Sequence, residues 1–553
     1  MKSDIEIAQA AKPFKINKIA AELNLSSKDI ICYGNTKAKI DLYHKKLDKN
    51  PDSRLILVTA MTPTPAGEGK STVSIGLADA LRLLNKKSAL SLREPSLGPC
   101  FGIKGGATGG GMSQVIPMEE INLNFTGDIH AITAANNLLC AMIDNHIKHG
   151  NSLGISKIFF KRCLDLNDRA LREVSVALGS PANGIPRTDG FNITVASEIM
   201  AILCLSENMD DLKHRINHIV VAENDEGEPI YVHQLHAGGA MAAILKEAIL
   251  PNLVQTLEHT PAFVHGGPFA NIAHGTSSVI AARTAMSLAD YVVTEAGFGA
   301  DLGMEKYLDI FSRTCGICPA SIVLVATVRA LKMHGGIELK DLATENSAAI
   351  KRGFANLKAH IKNIEKFGYK PVVAINRFST DTKEELQLVV DLCQKLDIKA
   401  VVSEGWEKGG KGCLNLAKAV LSAIKKDKPK PTYLYEDAME LDQKIITLAK
   451  EIYHAKSVSF SPKATTALNK IKDWGYQYLP ICMAKTQNSL SHDAKLLGAP
   501  TGYTFPITDI RLSAGAGFIV ALSGNINTMP GLPKHPAAEK IDIDSNGKIT
   551  GLF

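Results

Sequence analysis

The chain has 553 residues, more than a single hydrophobic core usually organises, so about two to four domains are expected. Its 45% hydrophobic and 21% charged content with 44 glycines fit an ordinary α/β enzyme and no low-complexity chain. The net charge of +6 is a mild basic bias with no lysine- or arginine-only tract, which argues against a nucleic-acid surface and suits anionic small molecules. The opening Met1-Lys-Ser-Asp-Ile-Glu has no apolar core of a secretory signal, and no run approaches the roughly 18 apolar residues that span a bilayer. Ten scattered cysteines read as reduced thiols in a cytoplasm.

Residues 1–50 show helical periodicity at Ala8–Leu23 and Ile40–Leu47, a leading helical segment packed on the core. The buried-type strand Leu55–Thr59 runs into Met61-Thr-Pro-Thr-Pro-Ala-Gly-Glu-Gly-Lys-Ser-Thr72. A strand before and a helix after are the setting of a phosphate-cradling loop. Gly67 and Gly69 permit the tight turn, Lys70 supplies charge to the outer phosphates, and the Ser71 hydroxyl is placed to ligate Mg²⁺. Thr64 stands where the general pattern wants glycine. The expected nucleotide-binding set is Thr64, Pro65, Ala66, Gly67, Glu68, Gly69, Lys70, Ser71 and Thr72. The next helix, predicted over Thr72–Lys87, puts Val73, Leu77, Leu81 and Leu84 on one face. Strand Ser88–Leu92 then delivers Arg93 and Glu94 at its carboxyl end, where open parallel sheets bind ligands.

Gly102-Ile-Lys-Gly-Gly-Ala-Thr-Gly-Gly-Gly111 opens no helix after its glycines. It reads as a mobile anion-binding loop and lid, with Lys104 among its donors, or as a plain flexible connection. Strands predicted at His218–Ala222, Ala262–Val264, Tyr291–Thr294, Ile322–Thr327, Val372–Asn376 and Ala400–Ser403 alternate with helices such as Ala273–Leu288 and Thr382–Leu396. That alternation predicts an α/β fold built on a doubly wound, largely parallel sheet. His265 and His274 flank a glycine-rich turn and read either as bases or ligands, or as hydrogen-bonded structural residues. Gly297–Gly303 is another strand-end loop, with Phe298 at the mouth of the sheet. Cys315-Gly-Ile-Cys318 has zinc- or redox-type spacing, yet no second ligand pair accompanies it and Pro319 with a strand follows, so buried thiols are expected.

Phe378 and Trp406 each follow a predicted strand on the side of the phosphate loop, and two aromatic planes there can sandwich a flat heterocycle or simply pack on the core. Glu407-Lys-Gly-Gly-Lys-Gly412 again mixes glycine with cations. After about residue 435 the pattern changes to a helix (Asp437–His454) and short strands (Tyr478–Met483, Phe505–Leu512, Gly517–Leu522). The expected division is 1–285, a phosphate-loop nucleotide-binding domain; 286–435, a second α/β domain contributing further loops; and 436–553, a smaller mixed domain.

Thr62–Lys70, Arg93-Glu-Pro-Ser-Leu-Gly-Pro99, Phe125-Thr-Gly-Asp-Ile-His130, Glu295-Ala-Gly-Phe-Gly-Ala-Asp301 and Met529-Pro-Gly-Leu-Pro-Lys534 together resemble the formate–tetrahydrofolate ligases of monofunctional bacterial type. The likeness runs from about residue 10 to Phe553, and Thr64 is itself a trait of that family. It implies that formate attacks the γ-phosphoryl of MgATP to give formyl phosphate, whose formyl group passes to N10 of tetrahydrofolate, a polyglutamate in the cell. It further implies that Lys70 and Arg93 hold formyl phosphate, that Phe378 and Trp406 flank the pterin with Phe298 lining the same cleft, and that Asp128 and His130 are catalytic-cleft residues. Glu94 is implied in a response to a monovalent cation (K⁺ or NH₄⁺), and a cytoplasmic homotetramer is implied as the assembly. The rivals from other classes are a nucleotide-switch ATPase, which commonly carries a lysine near the start of the loop where Thr62 and Pro63 stand, and a nucleic-acid-binding protein, which would need basic–aromatic interleaving.

Overall fold

The computed structural model describes residues 2–102, 108–426, 429–524 and 526–552. Among them twelve strands form one sheet. In chain order these are β1 (Ile30–Tyr33), β2 (Lys37–Ile40), β3 (Arg54–Ala60), β4 (Ser88–Leu92), β5 (Gly109–Gly110), β6 (Ser113–Ile116), β7 (Asn252–Thr256), β8 (Pro261–Val264), β9 (Tyr291–Glu295), β10 (Ser321–Ala326), β11 (Val372–Asn376) and β12 (Ala400–Ser403). Their spatial order is β1-β2-β7-β8-β4-β9-β3-β10-β11-β12, with β6 on β7 and β5 on β6. From β8 to β12 every neighbouring pair is parallel. β7, β2 and β1 continue the sheet antiparallel.

Central strands of this kind are buried on both faces, so they read as continuous apolar runs. In β3 the alternation of side chains sends Ile56, Val58 and Ala60 to one face and Leu55 and Leu57 to the other. The first face packs on the helices Lys70–Leu83 and Leu414–Lys426 through Val73, Leu77, Leu81, Leu416 and Val420. The second face joins the larger core, which continues through the helices Asp128–Lys148 and Ser347–Lys366 into the carboxyl-terminal region. That region holds a two-stranded parallel ribbon and a three-stranded mixed sheet.

The expected parallel α/β sheet is present, with several differences in detail. Residues 1–50 are not a helical segment. They form two short helices, Asp4–Ala10 and Ile16–Glu22, and the hairpin β1–β2, which extends the main sheet along β7. Pro13 lies between the helices, and the alternation of Ala38 and Ile40 packs beside Leu253 and Phe263. The strand expected at His218–Ala222 forms at Val220–Asn224 but belongs to a separate antiparallel sheet with Ile155–Ile158 and Pro229–Tyr231. The helix expected from Ala273 starts at Val279, because the Ser278 side chain accepts from Ala281 N and caps it there. The helix after the phosphate loop ends at Leu83, not Lys87, where Asn85 takes a left-handed φ of 56°. The sheet draws strands from both sides of residue 285, since β9 at 291–295 lies between β3 and β4.

The carboxyl-terminal region is tied to the main sheet by a buried charge. Lys485 follows the strand Ile481–Ala484, and its Nζ lies 2.7 Å from Asp301 Oδ2, both side chains being sequestered from solvent. The same ammonium donates to Thr486 O at 2.9 Å and Ser489 O at 2.5 Å, so its protons are spent within the fold. Removing one partner of such a pair leaves the other charge buried and alone. Lys485→Ala is therefore expected to lower stability by about 3–5 kcal/mol, read as a shift of the urea unfolding midpoint.

Candidate functional site

Because β8 to β12 run parallel, their carboxyl ends lie along one edge of the sheet. β3 hands over to the loop at Met61–Gly69, β4 to Arg93, β9 to Glu295 itself, β11 to Phe378 and β12 to Trp406. The loop turns on two left-handed glycines, Gly67 at φ 82° and Gly69 at φ 70°, and Gly69 is the N-cap of the helix Lys70–Leu83. A Cβ on Gly69 would lie 2.3 Å from Asn376 Nδ2, so only glycine lets the loop dock against the end of β11.

The loop is held from beneath by Glu68. Its Oε1 accepts from Thr64 N at 2.7 Å, its Oε2 accepts from the Thr327 hydroxyl, and its backbone carbonyl accepts from Asn376 Nδ2 at 3.1 Å. Burial pushes the Glu68 carboxyl upward from its usual value. Glu68 thus clamps the loop from below, while Pro65 and Ala66 are exposed at its tip and Lys70 and Ser71 are partly open on the helix that follows. Thr72 is turned into the core. Thr62, upstream, sits in a buried net: Asn356 Nδ2 donates to its hydroxyl at 3.0 Å, the hydroxyl lies 2.9 Å from His360 Nε2, and its carbonyl is 3.1 Å from His334 Nε2.

The Ser71 hydroxyl donates to Glu295 Oε2 at 2.8 Å, and the other carboxylate oxygen of Glu295 lies 3.7 Å from Arg93 Nη2. One buried carboxylate therefore touches both the helix Lys70–Leu83 and the arginine at the end of the adjacent strand. Glu295 belongs to the Glu-Ala-Gly-Phe stretch singled out in the sequence, yet no role in the site was expected of it. Only the strand order, which inserts β9 between β3 and β4, brings it there. Gly297 makes room for Arg93, since a Cβ would stand 3.0 Å from Nη1. Arg93 Nε is buried with no hydrogen-bond partner. The segment after it is fixed by Asp165, which accepts from the Ser96 hydroxyl at 2.6 Å and from Leu97 N at 2.9 Å.

Asp128 is buried rather than open to solvent. It forms a buried ion pair with Lys39, whose Nζ lies 2.7 and 2.9 Å from its two oxygens, and it accepts from Asn252 Nδ2 at 2.8 Å. His130, two residues on, is exposed and hydrogen-bonds Asn124 at 2.7 Å. Glu94 is buried with Oε2 lacking a hydrogen-bond partner, and burial, reinforced by the charge of Asp128, holds its carboxyl well above the usual range. Phe378 and Trp406 stand on adjacent strand ends, where Asn376 is registered with Ser403. The Arg329 guanidinium covers one face of Phe378 at 4.3 Å from the ring centroid. Trp406 is 36% exposed and backs onto the β5–β6 hairpin, its carbonyl accepting from Met112 N at 2.8 Å. Phe298 is half-buried on the Gly297–Gly303 turn with a left-handed φ of 59°. Lys104 and its neighbours at 103–107 lie outside the described residues.

The two histidines of the glycine-rich turn are both buried and neutral. His265 contacts the Ser278 hydroxyl at 2.6 Å and Ala248 O at 2.7 Å, and burial holds its pKa down at about 4. His274 has no hydrogen-bond partner at either ring nitrogen, and burial, then the charge of Arg93, hold it down at about 3. Of the cysteine pair, Cys315 is partly buried but Cys318 is exposed, which corrects the expectation that both are buried. Both thiols are unpaired, and among the described residues no group of histidine, cysteine or acidic side chains is gathered to hold a metal. No helix among the described residues is long and apolar enough to cross a membrane.

A family model described as "Formate--tetrahydrofolate ligase" matches residues 2–553. A formate–tetrahydrofolate ligase of Granulibacter bethesdensis is 55% identical over 556 aligned residues, which cover 100% of this chain and 97% of that protein.

His274 supplies a pH test of the site's packing. In the unfolded chain it takes up a proton below about 6.5, whereas in the folded protein it stays neutral down to about 3. The unfolded state binds more protons in that window, so the contribution of His274 to stability is complete above pH 6.5 and is lost as the pH falls toward 3. His274→Leu, packed beside Phe311, is expected to flatten the acid limb by about 1.4 kcal/mol per pH unit, measured as urea unfolding free energies from pH 7.5 to 5.

Proposed function

The chain belongs to the formate–tetrahydrofolate ligase family, and from that premise we propose that it joins formate to tetrahydrofolate in an ATP-dependent reaction through formyl phosphate. The observation that carries the ATP-dependent route is the shared carboxylate of Glu295, with Ser71 on one side and Arg93 on the other. A phosphate loop and a grip for a small carboxylate are thereby neighbours, as a transfer from nucleotide to formate demands.

In this reading the backbone amides around Gly67 and Gly69 cradle the nucleotide phosphates, and Lys70 neutralises the oxygens of the transferred phosphoryl. The Ser71 hydroxyl, with Glu295 behind it, fits an Mg²⁺ ion arriving with ATP; such an ion offsets charge on the phosphate oxygens. Arg93, whose side chain is partly open, pairs with formate through its guanidinium. A formate oxygen attacks the γ-phosphorus as the bond to ADP breaks. N10 of tetrahydrofolate then attacks the formyl carbon, the carbon–oxygen bond to phosphate breaks, and N10 loses its proton. Phe378 and Trp406 flank the pterin, with Arg329 behind Phe378 leaving its other face for the ring, and Phe298 lines the same cleft. Asp128 is spent on Lys39 and His130 on Asn124, so neither is given the proton from N10. Glu94, with one oxygen lacking a partner, would take a monovalent cation as its carboxylate, the ion offsetting the burial that otherwise raises that carboxyl. Scattered thiols favour a cytoplasmic setting, and a homotetramer is carried over from the family likeness.

A coupled assay for 10-formyltetrahydrofolate, omitting formate, ATP or tetrahydrofolate in turn, tests the reading. Product is expected only when all three are present, whereas ATP hydrolysis indifferent to formate would favour a nucleotide switch. Lys70→Ala is expected to abolish formyl phosphate formation while leaving the circular dichroism spectrum unchanged; parent-level turnover would contradict its assigned role. Trp406→Ala is expected to weaken tetrahydrofolate binding by roughly 1–3 kcal/mol with little change for ATP. Fluorescence titrations with each ligand separate the two, and a loss confined to ATP would place the indole on the nucleotide.

A further inference from the structure

Glu295 reaches both halves of the site. It is 2% exposed, at the last position of β9, and flanked by β3 and β4. An unpaired carboxylate at such depth would be costly. Here one oxygen accepts the Ser71 proton and the other faces the Arg93 guanidinium. Its backbone is fixed as well, the carbonyl accepting from the Thr276 hydroxyl at 2.9 Å. The side chain is thus held in a single place by the sheet.

We propose that Glu295 is a positioning residue that couples the metal–nucleotide site to formate, an assignment resting on the ATP-dependent reading above. Two chemical consequences follow from its contacts. The Ser71 hydroxyl has one proton, and while that proton is committed to Glu295 the oxygen lone pairs remain available to a cation. A magnesium ion arriving with the nucleotide would keep several of its waters, and the carboxylate fixed behind the serine would be placed to accept hydrogen bonds from them. On its other side the same negative charge draws the Arg93 guanidinium toward the phosphate loop, which fixes where a carboxylate substrate is gripped. A neutral amide at 295 cannot satisfy both demands at once. Its oxygen can serve Ser71 only by turning its NH₂ toward the Arg93 donors, and the reverse orientation claims the serine lone pairs.

ADP is the probe for the metal half. Isothermal titration of ADP, with Mg²⁺ in excess and again with chelator, yields the affinity gained from the ion. Glu295→Gln is expected to lose roughly 10- to 100-fold of that gain, the scale of a charged hydrogen bond, with the chelator value unchanged or tighter. In steady state the KM for formate is expected to rise as well. Ser71→Ala is expected to lose the same Mg²⁺-dependent gain, and the double variant to lose no more than either single one. A full Mg²⁺ gain in Glu295→Gln, an unchanged formate KM, or additive losses in the double variant would overturn the coupling. If melting shows Glu295→Gln to be poorly folded, Glu295→Asp replaces it. Its charge is kept but it is one methylene too short to span both partners, so either the Mg²⁺ gain or the formate KM must change, and constancy of both overturns the assignment. Parent protein that binds no ADP under either condition overturns the nucleotide reading together with this one, whereas parent binding with insensitive variants overturns this one alone.

Discussion

Parallel pairing from β8 to β12 is the constraint from which the site follows. In a parallel sheet each strand begins and ends on the same edge as its neighbours, so whatever follows a strand is delivered to one line in space. Residues 60, 92 and 295 are far apart in the chain, yet they end β3, β4 and β9, which are immediate neighbours. The loop at Met61–Gly69, Arg93 and Glu295 therefore meet without any long connection having to reach across the molecule. A strand order that moved β9 elsewhere would keep every local motif and lose the contact among them.

The loop depends on that scaffold for its shape. Its two left-handed glycines give freedom of conformation, and freedom alone would leave the amides badly aimed. Glu68, Thr327 and Asn376 remove it: the carboxylate clamps Thr64 from below, and the amide of Asn376 holds the carbonyl of residue 68. Thr327 and Asn376 come from the ends of β10 and β11, so the same edge that gathers the reactive groups also fixes the loop. Donors held in place before charge develops need no reorganisation when it does, which is where electrostatic catalysis gains most.

Much of this was legible in the chain, and the limits have physical reasons. The strands at Val372–Asn376 and Ala400–Ser403 appear where the apolar runs put them, because strands buried on both faces need continuous apolar sequence. The hairpin at residues 30–40 is short and half-exposed, so its two-residue alternation is easily lost among lysines that also suit a helix. Val220–Asn224 has the same apolar character as the central strands, and composition does not say which sheet a strand joins. The roles of acidic residues were hardest to read. Glu68 sits inside the phosphate-loop motif but serves its underside, and Asp128 sits in a specific motif but is consumed by Lys39, a partner 89 positions away. Long-range pairing of that kind leaves no local signature.

Burial alone does not sort the carboxylates of this edge; their partners do. Glu68, Glu94, Asp128 and Glu295 are all nearly inaccessible to solvent. Glu68 has both oxygens taken by neutral donors of the loop and of β10's end, which makes it a clamp. Asp128 is paired with an ammonium and accepts from an amide, so both of its oxygens have partners within the fold. Glu94 keeps one oxygen without a partner. Glu295 lies between a hydroxyl and a guanidinium, two groups that themselves have capacity to spare: the serine retains its lone pairs, and Arg93 Nε is unpaired. A buried charge whose partners are saturated can only hold the fold together. One whose partners remain open can pass its influence on to whatever those partners bind, and of these four carboxylates Glu295 is placed that way, between Ser71 and Arg93.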